Sequence, residues 1–164
     1  MLLSSLLRRA VVVSAGLCCI AAAHAAAPQL KTQAPGPTLG NLLASLAAAG
    51  YKPEQVDAVL ITHMHADHVG GLMADGKPAF PNATVHADQA DADFWLSAEK
   101  LAAAPEAMKG FFQGALASMN PYVSGAKFKP FQGATNLFAG IRAVATPGHT
   151  PGHTVTPSSR RGKN

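Results

Sequence analysis

The chain is predicted to be an α/β domain, because short β-branched apolar runs alternate with longer segments of helical periodicity. The clearest runs are residues 56–61 and 141–145, and leucines or aromatics recur at helical spacing before and between them. A third observation points to what the domain is built around. Four side chains of metal-ligating type, His63, His65, Asp67 and His68, follow directly on the first of those runs.

The N-terminus reads as a leader. Residues 1–7 are mostly apolar, Arg8 and Arg9 give a positive flank, and residues 10–23 are almost uninterrupted Ala, Val, Leu, Ile and Cys. Ala23-His24-Ala25 then supplies a small-residue cleavage pattern. This is the layout of a secretory signal peptide over residues 1–25, and it predicts a periplasmic or secreted protein with no membrane attachment after cleavage. The apolar run is short for a transmembrane span. Both cysteines, Cys18 and Cys19, lie inside it, so the mature chain would rely on no disulfide.

The leader also changes the charge argument. Of 13 Lys+Arg, two are Arg8 and Arg9 and three are Arg160, Arg161 and Lys163, which leaves eight between, against 9 Asp+Glu. The folded part is near neutral, and nothing in it favours nucleic acid as a partner.

Residues 26–37 are rich in Ala, Pro and Gln and read as a linker. A domain is expected over residues 38–156. Thr38 is placed to cap a helix carrying Leu39, Leu42, Leu43 and Leu46, which Gly50 ends in the left-handed conformation. Residues 56–61 form a buried strand and 83–87 another. One helix is expected over residues 88–104, with Phe94, Trp95 and Leu101 as its large apolar side chains. Pro105 opens a second, which carries Met108, Phe111, Phe112 and Leu116 and ends near Asn120-Pro121. Residues 128–131 and 141–145 read as strands. The second leads into Thr146-Pro147-Gly148-His149-Thr150-Pro151-Gly152-His153.

Three of the seven histidines fall in one short loop with an acid between them. Imidazole and carboxylate suit Zn²⁺, and Mn, Fe or Co are also accepted by such donors. In an extended loop side chains alternate, so His63 and His65 point to one ion. A turn at Ala66 then lets Asp67 and His68 point to a second. Structural zinc usually takes cysteine-rich sets, which argues against a purely structural site. His24 belongs to the leader. His86 stands in a strand without ligand-type neighbours and reads as an ordinary core or surface histidine.

His63-Met64-His65-Ala66-Asp67-His68 resembles the His-x-His-x-Asp-His signature of the metallo-β-lactamase superfamily, and Gly148-His149-Thr150-Pro151-Gly152-His153 looks like its second ligand element. The stretches Asp93-Phe94-Trp95-Leu96-Ser97, Gly110-Phe111-Phe112 and Asn120-Pro121-Tyr122-Val123, with Phe128-Lys129-Pro130-Phe131, look like the methyl parathion hydrolase branch. The resemblance implies an αβ/βα sandwich, of which this chain holds the helix-rich middle with incomplete sheets. It implies His63, His65 and His149 on a first zinc, and Asp67 and His68 on a second, with Asp67 counted as catalytic. His153 would be a structural hydrogen-bonding residue. Trp95, Phe111 and Phe112 would wall an aromatic substrate pocket.

The function so implied is metal-dependent hydrolysis of small organophosphate, ester or lactone substrates by a hydroxide held between two metals. A lactonase or β-lactamase-type member, or a catalytically silent metal-binding fragment, are the alternatives. The family site also needs a bridging aspartate and a last histidine on later strands, and only 15 residues follow His149. The β-rich sheet expected before His63 is also short. Residues 157–164 are polar and basic, unlike a core strand. The expectation is a truncated fold with little activity of its own.

Overall fold

The structure is a computed structural model that describes residues 9–14, 17–22 and 41–157. The linker, the Thr38 cap and the tail from residue 158 lie outside the described residues. Two strands, β1 (Arg9–Ser14) and β2 (Leu17–Ala22), come first, followed by helix α1 (Leu42–Ala48) and strand β3 (Ala58–Ile61). The short helix α2 (Ala66–Val69) follows, then a small hairpin of β4 (Met73–Ala74) and β5 (Lys77–Pro78), and strand β6 (Thr84–His86). Helices α3 (Gln89–Trp95), α4 (Ala98–Ala103) and α5 (Glu106–Ser124) form the helical layer. The chain then passes through β7 (Asn136–Phe138), β8 (Ile141–Arg142), β9 (Val144–Ala145) and β10 (Thr154–Val155).

The main sheet has the order β2-β1-β3-β6. β1 pairs antiparallel with β2 and parallel with β3, and β3 pairs parallel with β6. The described part of the stretch read as a leader is therefore paired into this sheet. The physical reason is plain: a run such as Val11-Val12-Val13 suits a buried strand as well as it suits a signal sequence.

β3 is buried at all four positions, and its alternation explains why the run is apolar throughout. Val59 and Ile61 enter the large core with Leu46, Met64, Leu72, Phe80, Trp95, Phe112, Met119 and Tyr122. Ala58 and Leu60 face the other way, against Ile141, with Leu137 and Phe138 packed alongside. The strand thus lies between a helical layer and the β7–β8 hairpin, as a sandwich requires.

Several expected elements differ in detail. The helix predicted over residues 88–104 is broken after Trp95, because Ser97 turns its side chain to cap a new helix by accepting from the Lys100 N–H at 3.2 Å. Pro105 is the cap residue of α5 rather than its first helical residue. That helix does not end at Pro121 but runs to Ser124, with Pro121 in its last turn. Burial of Tyr122 beyond the proline holds that turn in place. Residues 128–131 contribute isolated bridges, Val85 to Phe128 and Asp88 to Phe131, rather than a strand. The run at 141–145 divides at Ala143, whose N–H and C=O both bond Thr135. Gly50 takes φ +80° just after α1, as expected for a left-handed helix end. Among the described residues no helix is long and apolar enough to cross a membrane.

Tyr122 ties distant segments together. Its hydroxyl donates to the Leu72 carbonyl at 2.9 Å and accepts from the Phe80 N–H at 3.1 Å, with the ring 1% exposed. Burial pushes the phenol above its ordinary pKa. Tyr122→Phe leaves the buried Phe80 N–H without its partner, while the Leu72 carbonyl keeps the Ala79 N–H at 2.8 Å, so unfolding free energy should fall by about 1–3 kcal/mol, read by urea denaturation. A loss below ~0.5 kcal/mol would show that water replaces the hydroxyl.

Candidate functional site

The first ligand-bearing loop leaves β3 at Ile61. Thr62 to His65 run on without helix, and His65 keeps an extended ψ of 150° as the cap residue of α2. Side chains alternate along such a backbone. Met64 therefore points into the core, fully buried, while His63 and His65 point to the other side. Asp67 and His68 then ride on α2. The loop is pressed down by α5, where Gly114 meets Ala66 so closely that an added Cβ would stand 2.9 Å from the Ala66 Cβ.

The second loop joins β9 to β10. Gly148 sits at φ +144°, a conformation open to glycine, and its N–H donates to the Thr150 carbonyl at 3.1 Å. This turn projects His149 back over the first loop. His149 Nε2 lies 3.2 Å from His63 Nε2, and the donor atoms of His63, His65 and His149 all fall within 4.8 Å of one another. Two nitrogens bound to one tetrahedral zinc at about 2.0–2.1 Å are ~3.3 Å apart. The three imidazoles thus have both the donor chemistry and the spacing that a divalent ion requires. His63 is buried, His65 half-buried and His149 exposed, which leaves the cluster open on one side.

The rings are held from behind. Thr62 Oγ1 lies 3.3 Å from His63 Nδ1 and 3.2 Å from His68 Nδ1. Asp67 Oδ2 is 3.5 Å from His68 Nε2, with Asp67 about half exposed. Asp67 and His68 stand beside the three-histidine group rather than within it; the His68 ring centroid is 3.8 Å from that of His63. His153 is also outside the group. Its Nδ1 is 2.8 Å from Thr146 Oγ1, and its backbone C=O accepts from the Thr146 N–H at 2.8 Å, so it closes the base of the second loop. His86 packs edge-on against Phe138, away from the cluster.

Burial lowers the His63 pKa to about 3, with further lowering by His68, His65, His149 and His153. Burial also lowers those of His65 and His68. Neutral imidazoles keep the lone pairs that a metal needs. The metal-free chain should therefore lose stability on acidification. An unfolded histidine takes a proton near pH 6.5, whereas folded His63 refuses it until about pH 3. Within that window the unfolded state binds more protons, so stability rises with pH and is complete above it. Chelator-treated protein followed by thermal melting should show this slope, and a flat profile between pH 4 and 6.5 would contradict it.

A cavity of about 490 Å³ opens beside the cluster, lined by His65 and His149 and by Phe94, Trp95, Met108 and Phe111. Trp95 meets the His65 ring edge-on at 5.0 Å, yet it is only 2% exposed and packs on Phe112 at 4.8 Å. It is a core residue and a cavity wall at once. Phe111 is 42% exposed and forms the outer wall. Phe112 does not line the cavity; one position further along α5 it turns inward and is 2% exposed in the core. The helical turn of about 100° per residue separates the two rings.

Sequence reasoning missed Asp91 and the packing role of Gly152. Asp91 is fully buried on α3, where it accepts backbone N–H groups from both loops. Its only signal was an acid at a position facing the core of a helix.

Comparison with known proteins places this arrangement. An N-acyl homoserine lactonase of Bacillus sp. is 28% identical over 108 residues, which cover 66% of this chain and 35% of the lactonase. One from Bacillus cereus is 27% identical over 113 residues, covering 69% and 37%. Among solved structures, the hydrolase AbOPH of the beta lactamase superfamily superposes with a TM-score of 0.69 at 37% identity, covering 78% of this chain and 45% of its own. AidC, a dizinc quorum-quenching lactonase in complex with its product, gives 0.65 at 29% identity, covering 77% and 45%. The chain thus spans just over a third of the lactonases and under half of the two structures. The family model for the metallo-beta-lactamase superfamily matches residues 8–161, and the chain belongs to that superfamily.

Proposed function

We propose that this chain carries the metal-binding part of a hydrolase for small neutral esters, with N-acyl lactones as the favoured substrate class. The observation that carries it is the convergence of His63, His65 and His149 at the mouth of an apolar cavity. Each of the three would give one nitrogen to a single divalent ion, and zinc suits that donor set. When bound, such an ion polarises a carbonyl or phosphoryl oxygen and acidifies water. Asp67 and His68 stand next to the cluster as donors to a second ion. The aromatic wall would seat an acyl chain, and organophosphate triesters, compact and neutral, are the alternative occupants.

The test is zinc content by elemental analysis of the full chain, with hydrolysis of an N-acyl homoserine lactone beside a chromogenic phosphotriester. One zinc per chain and slow lactone turnover that stops on chelation support the reading. A chain that takes up no zinc overturns it, and preference for the phosphotriester would move the substrate class.

The cavity wall has its own prediction. Phe111→Ala should weaken binding of a long-chain lactone about tenfold with zinc content unchanged, since the ring is partly exposed and little folding energy rests on it. Trp95→Ala should lose stability as well as turnover, because that ring is buried among Phe94, Phe111 and Phe112. An unchanged KM in Phe111→Ala would remove it from the substrate site.

We also propose export to the periplasm or beyond, supported by the Arg8-Arg9 flank, the apolar run and Ala23-His24-Ala25. Intact-mass measurement of exported protein should give a chain beginning near Ala26. Retention of Arg8 and Arg9 would instead fit the pairing of β1 with β3.

A further inference from the structure

Asp91 sits on α3 with no exposed surface, and both of its oxygens are used. Oδ2 accepts the N–H of Met64 at 2.9 Å, the residue between His63 and His65. Oδ1 accepts the N–H of Gly152 at 2.7 Å, three residues beyond His149. The same carboxylate therefore holds two loops whose histidines, His63 and His149, are 86 residues apart in sequence. One backbone bond runs alongside, from the Thr154 N–H to the Thr62 carbonyl at 2.9 Å.

A buried carboxylate is an expensive way to satisfy two N–H groups, because it must be desolvated. Among the described residues no lysine or arginine forms an ion pair with Asp91. A charge there is useful if a cation is to be held nearby, and its field reaches His65. Gly152 completes the contact. A Cβ at that position would stand 2.5 Å from the Asp91 backbone nitrogen and 3.0 Å from the Asp91 Cβ. The second loop can thus lie directly on the first turn of α3.

We propose that Asp91 is a positioning residue for the metal centre, a clamp that sets the distance between His149 and the His63–His65 pair. This inference rests on the metal-binding reading above. It requires no contact between Asp91 and the ion; the carboxylate acts through the two backbones and through its charge.

The experiment is a Co²⁺ titration of the full chain, wild type against Asp91→Asn, followed by the visible d–d absorption. Asparagine keeps the shape but turns one acceptor into a donor facing an N–H, so one loop is released. Affinity should fall at least ~10-fold, the scale seen when groups supporting metal ligands are removed, and the d–d bands should shift. Asp88→Asn is the control. Its carboxylate accepts from the Ala90 and Gly133 N–H groups at the same end of α3, without bonding either loop, and it should bind Co²⁺ like wild type.

A folded Asp91→Asn chain with wild-type affinity and spectrum overturns the clamp alone, and so does an equal loss in Asp88→Asn. A wild-type chain that takes up no Co²⁺ overturns the metal reading as well. If Asp91→Asn does not fold, hydrogen exchange on the wild type decides. Co²⁺ should slow exchange of the Met64 and Gly152 amides together, and unchanged rates would overturn the proposal.

Discussion

Replacing His149 with alanine should weaken zinc binding by at least ~100-fold while leaving the fold intact. Structural zinc is held by about 10–16 kcal/mol over four ligands, or roughly 3 kcal/mol for each, and every 1.4 kcal/mol is tenfold. Loss of one imidazole from a set of three leaves only His63 and His65, both on one loop. His149 is the right residue for this test because it is exposed, so its side chain contributes little to the core. His63 is buried and touches the Thr62 hydroxyl, and its removal would confuse metal loss with unfolding. His153→Ala is the comparison. Its ring bonds Thr146 and stands outside the three-donor group, so zinc affinity should change far less than in His149→Ala. Isothermal titration with zinc, alongside circular dichroism, reads both variants. Equal losses in the two would mean that His153 is also a ligand. No loss in His149→Ala would place the ion elsewhere.

How far the site could be read in advance depends on the range of the signal. The His63-to-His68 loop was legible because its spacing, the strand before it and its donor types all sit within a few residues. His149 was legible only through resemblance, since nothing local says that a turn at Gly148 carries it back to His63. The strand at residues 58–61 was legible because burial on both faces makes every position apolar. The break between α3 and α4 was not, because Ala-rich sequence continues the helical pattern and only the Ser97 hydroxyl competes with it. Phe111 and Phe112 differ in role by one helical step, which adjacent identical residues cannot announce. Asp91 reads locally as one of several acids on a helix. Its meaning comes from two backbone N–H groups, one 27 residues before it and one 61 after it. The Val-rich segment at residues 9–22 suits two fates, export signal and sheet strand, and composition does not separate them.

Gly152→Ala should be the most damaging single-methyl change in the second loop. The added carbon would meet the Asp91 nitrogen at 2.5 Å, the Asp91 Cβ at 3.0 Å and Asp88 Oδ1 at 3.0 Å. Two of these belong to helix backbone or to its root, which cannot swing aside like the end of a long side chain. The loop must therefore lift away from α3. Lifting it stretches the bond from the Gly152 N–H to Asp91 and exposes a buried carboxylate oxygen. It also carries His149 away from His63, to which it lies at 3.2 Å. The expected result is a stability loss of about 1–3 kcal/mol from overpacking, together with zinc binding weakened by ~10-fold or more. Gly148→Ala separates sterics from backbone strain. At Gly148 the backbone is at φ +144° but an added Cβ meets nothing within 4 Å, so its cost is conformational and arises without contact with α3. Urea denaturation of the metal-free chains gives the first quantity and zinc titration the second. Wild-type values for both in Gly152→Ala would mean that the second loop does not rest on α3, and the distance between the two ligand-bearing loops would then have to be set by the Thr62–Thr154 backbone bond alone.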